Sequence, residues 1–442
     1  MWFFFIRSRC RCDSSLLKAF LGAFVVNSIL WLAFDVIRFL TRRVSKQFQF
    51  HILNLLNTKL LFLLMKTFST VFFGCLIAFI LPLQAQESST QQLTQLMKDY
   101  PVMGLSIALV KEGKVVHTQA LGWKEEGKLP LQTTDLFRIA SISKSFTATA
   151  LLQLVEKKVI SLDDDVSNLI GFPIRNPKFP ETVITLRMLL SHTSSINDQQ
   201  GYFTLDAIHP EKNATWQAAY NAYAPGKGYE YCNLNFNLAG AILEKYSGLR
   251  FDAYIQENIL KPLGLYGGYD VDQLDKSRFA TLYAYQRDSA KFIPSPAAYV
   301  SKGEELKTYI SGYSTPIFSP TGGMKISAPD LAKYLLLHMN YGKVGKVRLI
   351  SSAHSHEMQT PLSSDENYGL ALWKTDVLIP GVELVGHTGS AYGLYSAIFF
   401  NPEEKYGFVV ISNGCDPTEE EGYIRVIRRV VQILHEEWIV KP

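Results

Sequence analysis

The chain has 442 residues, 47% of them apolar, which is enough for two or three compact units with buried cores. The net charge of +4 is unevenly spread: residues 1–85 carry 10 Lys and Arg against 2 Asp and Glu, leaving 34 against 38 in the remainder, a net of −4. A mildly acidic body lacks the basic face that a nucleic-acid partner needs. The 5 cysteines show no zinc-ligand spacing and form no disulfide framework.

Ala19 to Phe34 is an apolar stretch broken by Gly22 and Asn27-Ser28, shorter than the roughly 18–20 residues of a membrane crossing. Arg38, Arg42, Arg43 and Lys46 follow it, as a cytoplasmic flank would. Met65-Lys66 then opens a charged start, an uncharged apolar run from Thr67 to Leu83 and a small residue, Ala85, the three parts of a secretory signal. Two readings of residues 1–64 stay open: a membrane helix that would associate the protein with a membrane, or a stretch upstream of a working start at Met65. In both, 65–85 is a signal peptide and the body, 86–442, is exported to a periplasmic or extracellular location.

In the body, Gln91 to Tyr100 carries Leu93, Leu96, Met97 and Tyr100 at helical spacing. Gly104–Lys111 and Lys114–Leu121 read as strands joined by a tight Glu112-Gly113 hairpin. Ser143–Glu156 reads as a helix. From about 161 to 327 the pattern is mainly helical, with Val183–Leu190 and Asn235–Tyr246 clearest, followed by a helix over Asp330–Asn340. Strands return at Leu384–His387, Tyr392–Phe400 and Tyr406–Ser412, and Glu419–Trp438 closes as a long amphipathic helix. Strands at both ends and helices between them imply a mixed α/β (α+β) fold. One antiparallel sheet is completed by the C-terminal strands and flanked by the terminal helices, with the helical region inserted.

The chemistry starts at Ser141-Ile142-Ser143-Lys144, at a helix start after a turn. A serine hydroxyl needs a base beside it, and a lysine three positions on in a helix lies on the same face. The helix N-terminus adds free N–H groups and a positive dipole end. A basic Lys144 must have its pKa lowered by burial or by positive neighbours. Ser143 is adjacent in sequence, but a helical neighbour points elsewhere. By itself the motif is weak, occurs often by chance, and reads first as an N-cap serine and a surface lysine.

Two further segments give it meaning. Tyr231-Cys232-Asn233 follows Pro225-Gly226 and precedes a helix, and His387-Thr388-Gly389-Ser390 ends a strand late in the chain. The order Ser-x-x-Lys, Tyr-x-Asn, Lys/His-Thr-Gly resembles the serine β-lactamase and penicillin-binding protein superfamily. Within it, the chain resembles the branch with class C β-lactamases, D,D-carboxypeptidases, D-aminopeptidases and esterases. Phe137-Arg138-Ile139-Ala140, Leu189-Leu190-Ser191-His192-Thr193-Ser194 and Thr321-Gly322-Gly323-Met324 match as surrounding context. The resemblance runs from about Gln91 to Gln432.

It implies a β-lactamase-like fold and these roles. Ser141 forms an acyl-enzyme with an ester or amide carbonyl. Lys144 and Tyr231 handle protons. Asn233 positions substrate and holds Lys144. The backbone N–H groups of Ser141 and Ser390 form the oxyanion hole, and Gly389 leaves room for substrate along the His387-Thr388-Gly389 strand. No metal or cofactor is called for, and the partner is a small-molecule or peptide substrate, cell-wall-related in some members. Cys232 replaces a usual Ser. His387 replaces the Lys usual in β-lactamases, and a histidine is mostly neutral at pH 7. This favours an esterase or D-amino-acid peptidase over a β-lactamase or D,D-carboxypeptidase; a non-catalytic penicillin-binding or cell-wall-binding module is the further alternative.

Outside these motifs, His192 reads as structural, bonding the turn after its helix, and His354 and His356 as solvated loop residues. Asn213-Ala214-Thr215 is a glycosylation sequon. Tyr392-Gly393-Leu394-Tyr395 either lines the groove or packs in a strand. Cys232 and Cys415 are buried small hydrophobes or a disulfide. No Gly-x-Ser-x-Gly elbow occurs, which disfavours an α/β-hydrolase. The loops 198–213 and 288–315 carry no readable code.

Overall fold

The computed structural model describes residues 84–363 and 366–441. The apolar stretch at 19–34, the leader up to Leu83, and Cys10, Cys12 and Cys75 lie outside the described residues. Helix α1 runs over 84–99, starting before the expected cut. Strand β1 (Val102–Lys111) turns through Glu112 and Gly113, both at positive φ, into β2 (Lys114–Glu125), and β3 (Leu129–Pro130) follows. Two successive left-handed residues match the twist of a two-residue hairpin.

Beyond the inserted region come β4 (Trp373–Thr375), β5 (Leu384–Ala391), β6 (Leu394–Asn401) and β7 (Tyr406–Cys415). They join the N-terminal hairpin in a seven-stranded antiparallel sheet of order β4-β5-β6-β7-β1-β2-β3. Strand β1, near the start of the body, therefore lies beside β7, near its end.

Both faces of the sheet are covered, and the period of two divides them cleanly. Leu105, Ile107 and Leu109 of β1 and Phe408 and Val410 of β7 join the core under the terminal helices. Ala108, Val110, Val409 and Ile411 point into the larger core shared with the inserted region. That core holds α2 (Ser143–Glu156), α3 (Asn233–Ser247) and α4 (Ala328–Met339).

Several elements differ from the sequence reading. The expected helix from Val183 starts only at Leu186, because the Thr185 hydroxyl accepts from the Met188 N–H and caps it there. The expected helix over Glu419–Trp438 is a hairpin, Glu419–Glu420 with Tyr423–Ile424, followed by α5 (Arg425–His435). Glu421 and Gly422 make its turn at positive φ. Strand β5 continues through Ser390, whereas Tyr392 and Gly393 form the following turn. The inserted region is more irregular than expected: apart from α3 its helices are short, and it contains a hairpin, Tyr283–Gln286 with Lys291–Pro294.

Candidate active site

The short strand Phe137–Arg138 pairs with Lys325–Ile326, and two residues beyond its end Ala140 has a left-handed φ of 50°. A residue with a Cβ in that region carries strain of roughly 1–2 kcal/mol. The bend throws the chain into a 3₁₀ turn, Ala140–Ile142, that leads directly into α2. Ser141 thus sits on the turn before the helix, and Lys144 in the helix's first turn. The Lys144 Nζ donates to Ser141 Oγ at 3.1 Å, to Asn233 Oδ1 at 2.9 Å and to the Thr321 carbonyl at 3.1 Å.

Lys144 is completely buried. Burial is the dominant effect on it and lowers its pKa to about 7, against smaller opposing contributions from Asp198 and Cys232. The side chain is therefore poised between ammonium and amine at neutral pH. When it is an amine, two N–H bonds can stay on the fixed acceptors, Asn233 Oδ1 and the Thr321 carbonyl. The lone pair is then left for the Ser141 hydroxyl.

Tyr231 covers the same serine. It lines the cleft beside Ser141, and its ring lies 4.7 Å from Lys144 Nζ. Burial pushes the phenol pKa well up, so Tyr231 stays a protonated donor and acceptor. Its ring is held by His192, 4.4 Å between centroids. His192 is structural as expected, with a different partner: its Nδ1 accepts from the Cys232 N–H at 3.1 Å.

His387 is buried, and that burial lowers its pKa to about 3. Its Nδ1 meets the Thr388 carbonyl at 2.5 Å and its Nε2 meets the Tyr368 hydroxyl at 3.0 Å. A carbonyl only accepts, so Nδ1 carries the proton and Nε2 accepts from Tyr368. Both ring nitrogens are thereby occupied, and the ring is neutral.

Strand β4 pairs with β5 only as far as Gly386, so among the described residues no strand flanks 387–391 on that side. The segment Ile139–Ser141 packs over the face of β5 and β6 at Gly389, where the Ser396 hydroxyl donates to the Ile139 carbonyl at 3.1 Å. A Cβ on Gly389 would stand 2.2 Å from the Ile139 carbonyl oxygen and 2.5 Å from Ser396 Oγ. Gly389 therefore makes room for the turn that carries Ser141.

Ser141, Tyr231, Asn233, His387, Thr388 and Ser390 line one cleft of about 780 Å³. Tyr202, Phe203, Tyr229, Tyr368, Trp373 and Tyr392 add an aromatic wall. Tyr392 thus belongs to the groove. Arg138, also on the lining, is engaged through Nε with the Gly322 carbonyl at 3.0 Å and stacks over Tyr392.

The sequence reading missed Asp198, Tyr368 and the aromatic wall, and gave Thr321 and Arg138 no role. Thr321 had a signal in the Thr-Gly-Gly-Met segment; Asp198 had none. Cys232 and Cys415 are both buried and unpaired, so they form no disulfide. His354 and His356 are corrected too: they lie on the helix Ser352–Gln359, with His354 Nδ1 2.9 Å from Glu156 and His356 stacked on Tyr341.

Known proteins place this architecture. The "Protein flp" of Staphylococcus aureus strain N315 is 26% identical over 324 residues, covering 71% of this chain. The chain spans 60% of the length of that relative. Penicillin-binding protein 4* of Bacillus subtilis strain 168 is 29% identical over 172 residues, 36% of each chain.

Among solved structures, the octameric penicillin-binding protein homologue of Pyrococcus abyssi matches with a TM-score of 0.62 and 27% identity, over 79% of this chain and 77% of that one. The D-amino acid amidase of Ochrobactrum anthropi SV3 shares the fold at a TM-score of 0.62 and 22% identity, over 81% of this chain and 100% of that one. The beta-lactamase family model matches residues 90–432. That span holds the whole sheet and every residue of the cleft, and the chain belongs to the beta-lactamase family, within the superfamily of serine β-lactamases and penicillin-binding proteins.

Proposed function

We propose that the protein is an exported serine hydrolase that cleaves small amides or esters through an acyl-enzyme at Ser141. The observation that carries this reading is a completely buried lysine with a pKa near 7, its Nζ 3.1 Å from the serine oxygen. Ser141 Oγ attacks the carbonyl carbon while its proton passes to Lys144. The oxyanion is held by the backbone N–H groups of Ser141 and Ser390, each donor worth roughly 3–4 kcal/mol of barrier. Tyr231, protonated and on the same serine, relays the proton to the departing nitrogen or oxygen. Water then enters, gives its proton back through the same pair, and frees the acid. Thr388 and the open edge of β5 receive the substrate backbone, and Asn233 orients its carbonyl side.

His387 steers the substrate class. A neutral ring with both nitrogens occupied offers no cation to a substrate carboxylate, which disfavours β-lactams and D-Ala-D-Ala peptides. The aromatic wall suits an apolar side chain beside the scissile bond. A D-amino acid amidase and a D-stereospecific amidohydrolase from Streptomyces share the fold, which supports testing D-aminoacyl amides and esters first.

The test is a panel of D-aminoacyl amides, acyl esters, D-Ala-D-Ala peptides and nitrocefin, with intact-mass detection of a fluorophosphonate adduct. Labelling of wild type and none of Ser141→Ala is expected; equal labelling of both refutes the nucleophile. Turnover of nitrocefin alone refutes the substrate class. Export rests on the 65–85 leader. N-terminal sequencing of the secreted protein should read from Gln86, and retention in the cytoplasm refutes it.

A further inference from the structure

We propose that Asp198 is a positioning residue for the reaction: its carboxylate fixes the Asn233 amide with oxygen toward Lys144 and gives the buried lysine its carboxylate countercharge. The inference rests on the Ser141–Lys144 reading above and adds to it a residue from the inserted region.

Helix α3 starts with a defect. Its N-cap residue is Cys232, whose side chain makes no capping hydrogen bond, and cysteine is not among the residues that cap well. The free donors of the first turn are met by a side chain from elsewhere in the chain. Asp198 Oδ2 accepts from the Asn233 N–H at 2.8 Å and Oδ1 from the Leu234 N–H at 2.9 Å. Oδ1 also receives the Cys232 thiol at 3.2 Å.

Capping alone would need no more than this. Asp198 Oδ2 also accepts from Asn233 Nδ2 at 2.9 Å. A carboxylate is an acceptor only, so the amide nitrogen must face Asp198 and the amide oxygen must face away. That oxygen is the one receiving Lys144 Nζ at 2.9 Å and the Thr321 hydroxyl at 2.7 Å. A flipped amide would present N–H groups to Lys144 and its oxygen to Asp198, and lose both of those bonds.

The charge argument is independent of the amide. Lys144 is faced by Ser141 from its own turn, by Tyr231, Cys232 and Asn233 from the start of α3, by Thr321, by His192 and by His387. Burial lowers the pKa of both imidazoles, so neither adds charge. Among the described residues Asp198 is the carboxylate whose field favours the ammonium. Removing its charge should let Lys144 lose its proton at lower pH.

The experiment is the pH dependence of fluorophosphonate inactivation of the full chain, for wild type, Asp198→Asn and Asp198→Glu. The acid limb of Asp198→Asn should move down by about one pH unit, with the plateau rate about 10–100-fold lower. Asp198→Glu should return the limb to its wild-type position. Partial unfolding lowers the plateau and leaves the limb where it was, so it does not imitate this result. An unmoved limb in Asp198→Asn, or one moved equally in Asp198→Glu, overturns the proposal. Absence of labelling in wild type instead overturns the nucleophile reading on which it rests.

Discussion

An ammonium group without water around it is costly, and Lys144 carries that cost beside the Ser141 hydroxyl. Activity that depends on its free amine should rise with pH along a limb centred near 7. Lys144→Met should lower kcat by about 10²–10⁴-fold. Lys144→Arg should not recover it, because guanidinium keeps its proton. The same displacement bears on stability. The unfolded lysine titrates near its ordinary value of 10.5 and the folded one at about 7. Between these values the unfolded state binds more protons, so stability rises with pH. Wild type should therefore gain Tm from pH 7.5 to 9.5, and Lys144→Met should show a smaller gain. An equal gain in both would remove Lys144 as its source. Buried Lys325, with its own pKa lowered, contributes in the same direction, so the slope should shrink without vanishing.

At the scale of elements, the site is a meeting of one turn, one helix start and one strand edge, each held from behind. Gly389 sets the distance between β5 and the nucleophile turn. Gly389→Ala must displace one of them, since its Cβ would meet the Ile139 carbonyl at 2.2 Å. We expect kcat/KM to fall about 100-fold with substrate KM less affected, measured by steady-state kinetics on the best substrate of the panel. Helix α3 is anchored at its far end by Glu244, a buried carboxylate. It accepts from the Phe251 N–H at 2.7 Å, the Gly312 N–H at 2.8 Å, the Thr315 hydroxyl at 2.7 Å and the Tyr309 hydroxyl. It thereby ties the segment 309–315, which leads to Thr321, to the helix that carries Asn233. Glu244→Ala strands these donors and should cost about 3 kcal/mol or more. Thermal unfolding should reveal it as a lowered Tm, and limited proteolysis as faster cleavage within 305–315.

For the whole molecule, the two-sided sheet explains why the catalytic parts can be scattered over some 250 positions of sequence. The sheet is closed by β1 against β7, and α1 and α5 seal its second face. The inserted region packs on the first face and delivers the start of α3, the loop with Asp198 and the Thr321 carbonyl to the nucleophile turn. Residues 82–442 form one compact unit and contain every residue of the cleft. Expressed alone, they should unfold in a single cooperative transition and keep the kcat of the full chain. Removing α5 from them should abolish soluble folding, because Val426, Ile427, Val430, Val431 and Leu434 are buried under the sheet.

How much of this was readable in one dimension follows from the range of the interactions. Strands and helices with strong periodicity, and three short motifs in a recognisable order, were legible because their signals lie within a few residues. The late helix start at Leu186 and the hairpin at Glu421-Gly422 were obscured, because a side-chain cap and a pair of left-handed turn residues overrode the apolar pattern. The sequence by itself determined the family and the sheet, and it named Ser141, Lys144, Tyr231, Asn233 and His387 as the candidates. Only the tertiary structure decided how those groups are tuned. The desolvation of Lys144, the occupation of both His387 nitrogens, the role of Gly389 and the arrival of Asp198 at a helix 35 residues away all depend on contacts distant in sequence. Such effects follow from burial and distance, which no local pattern encodes.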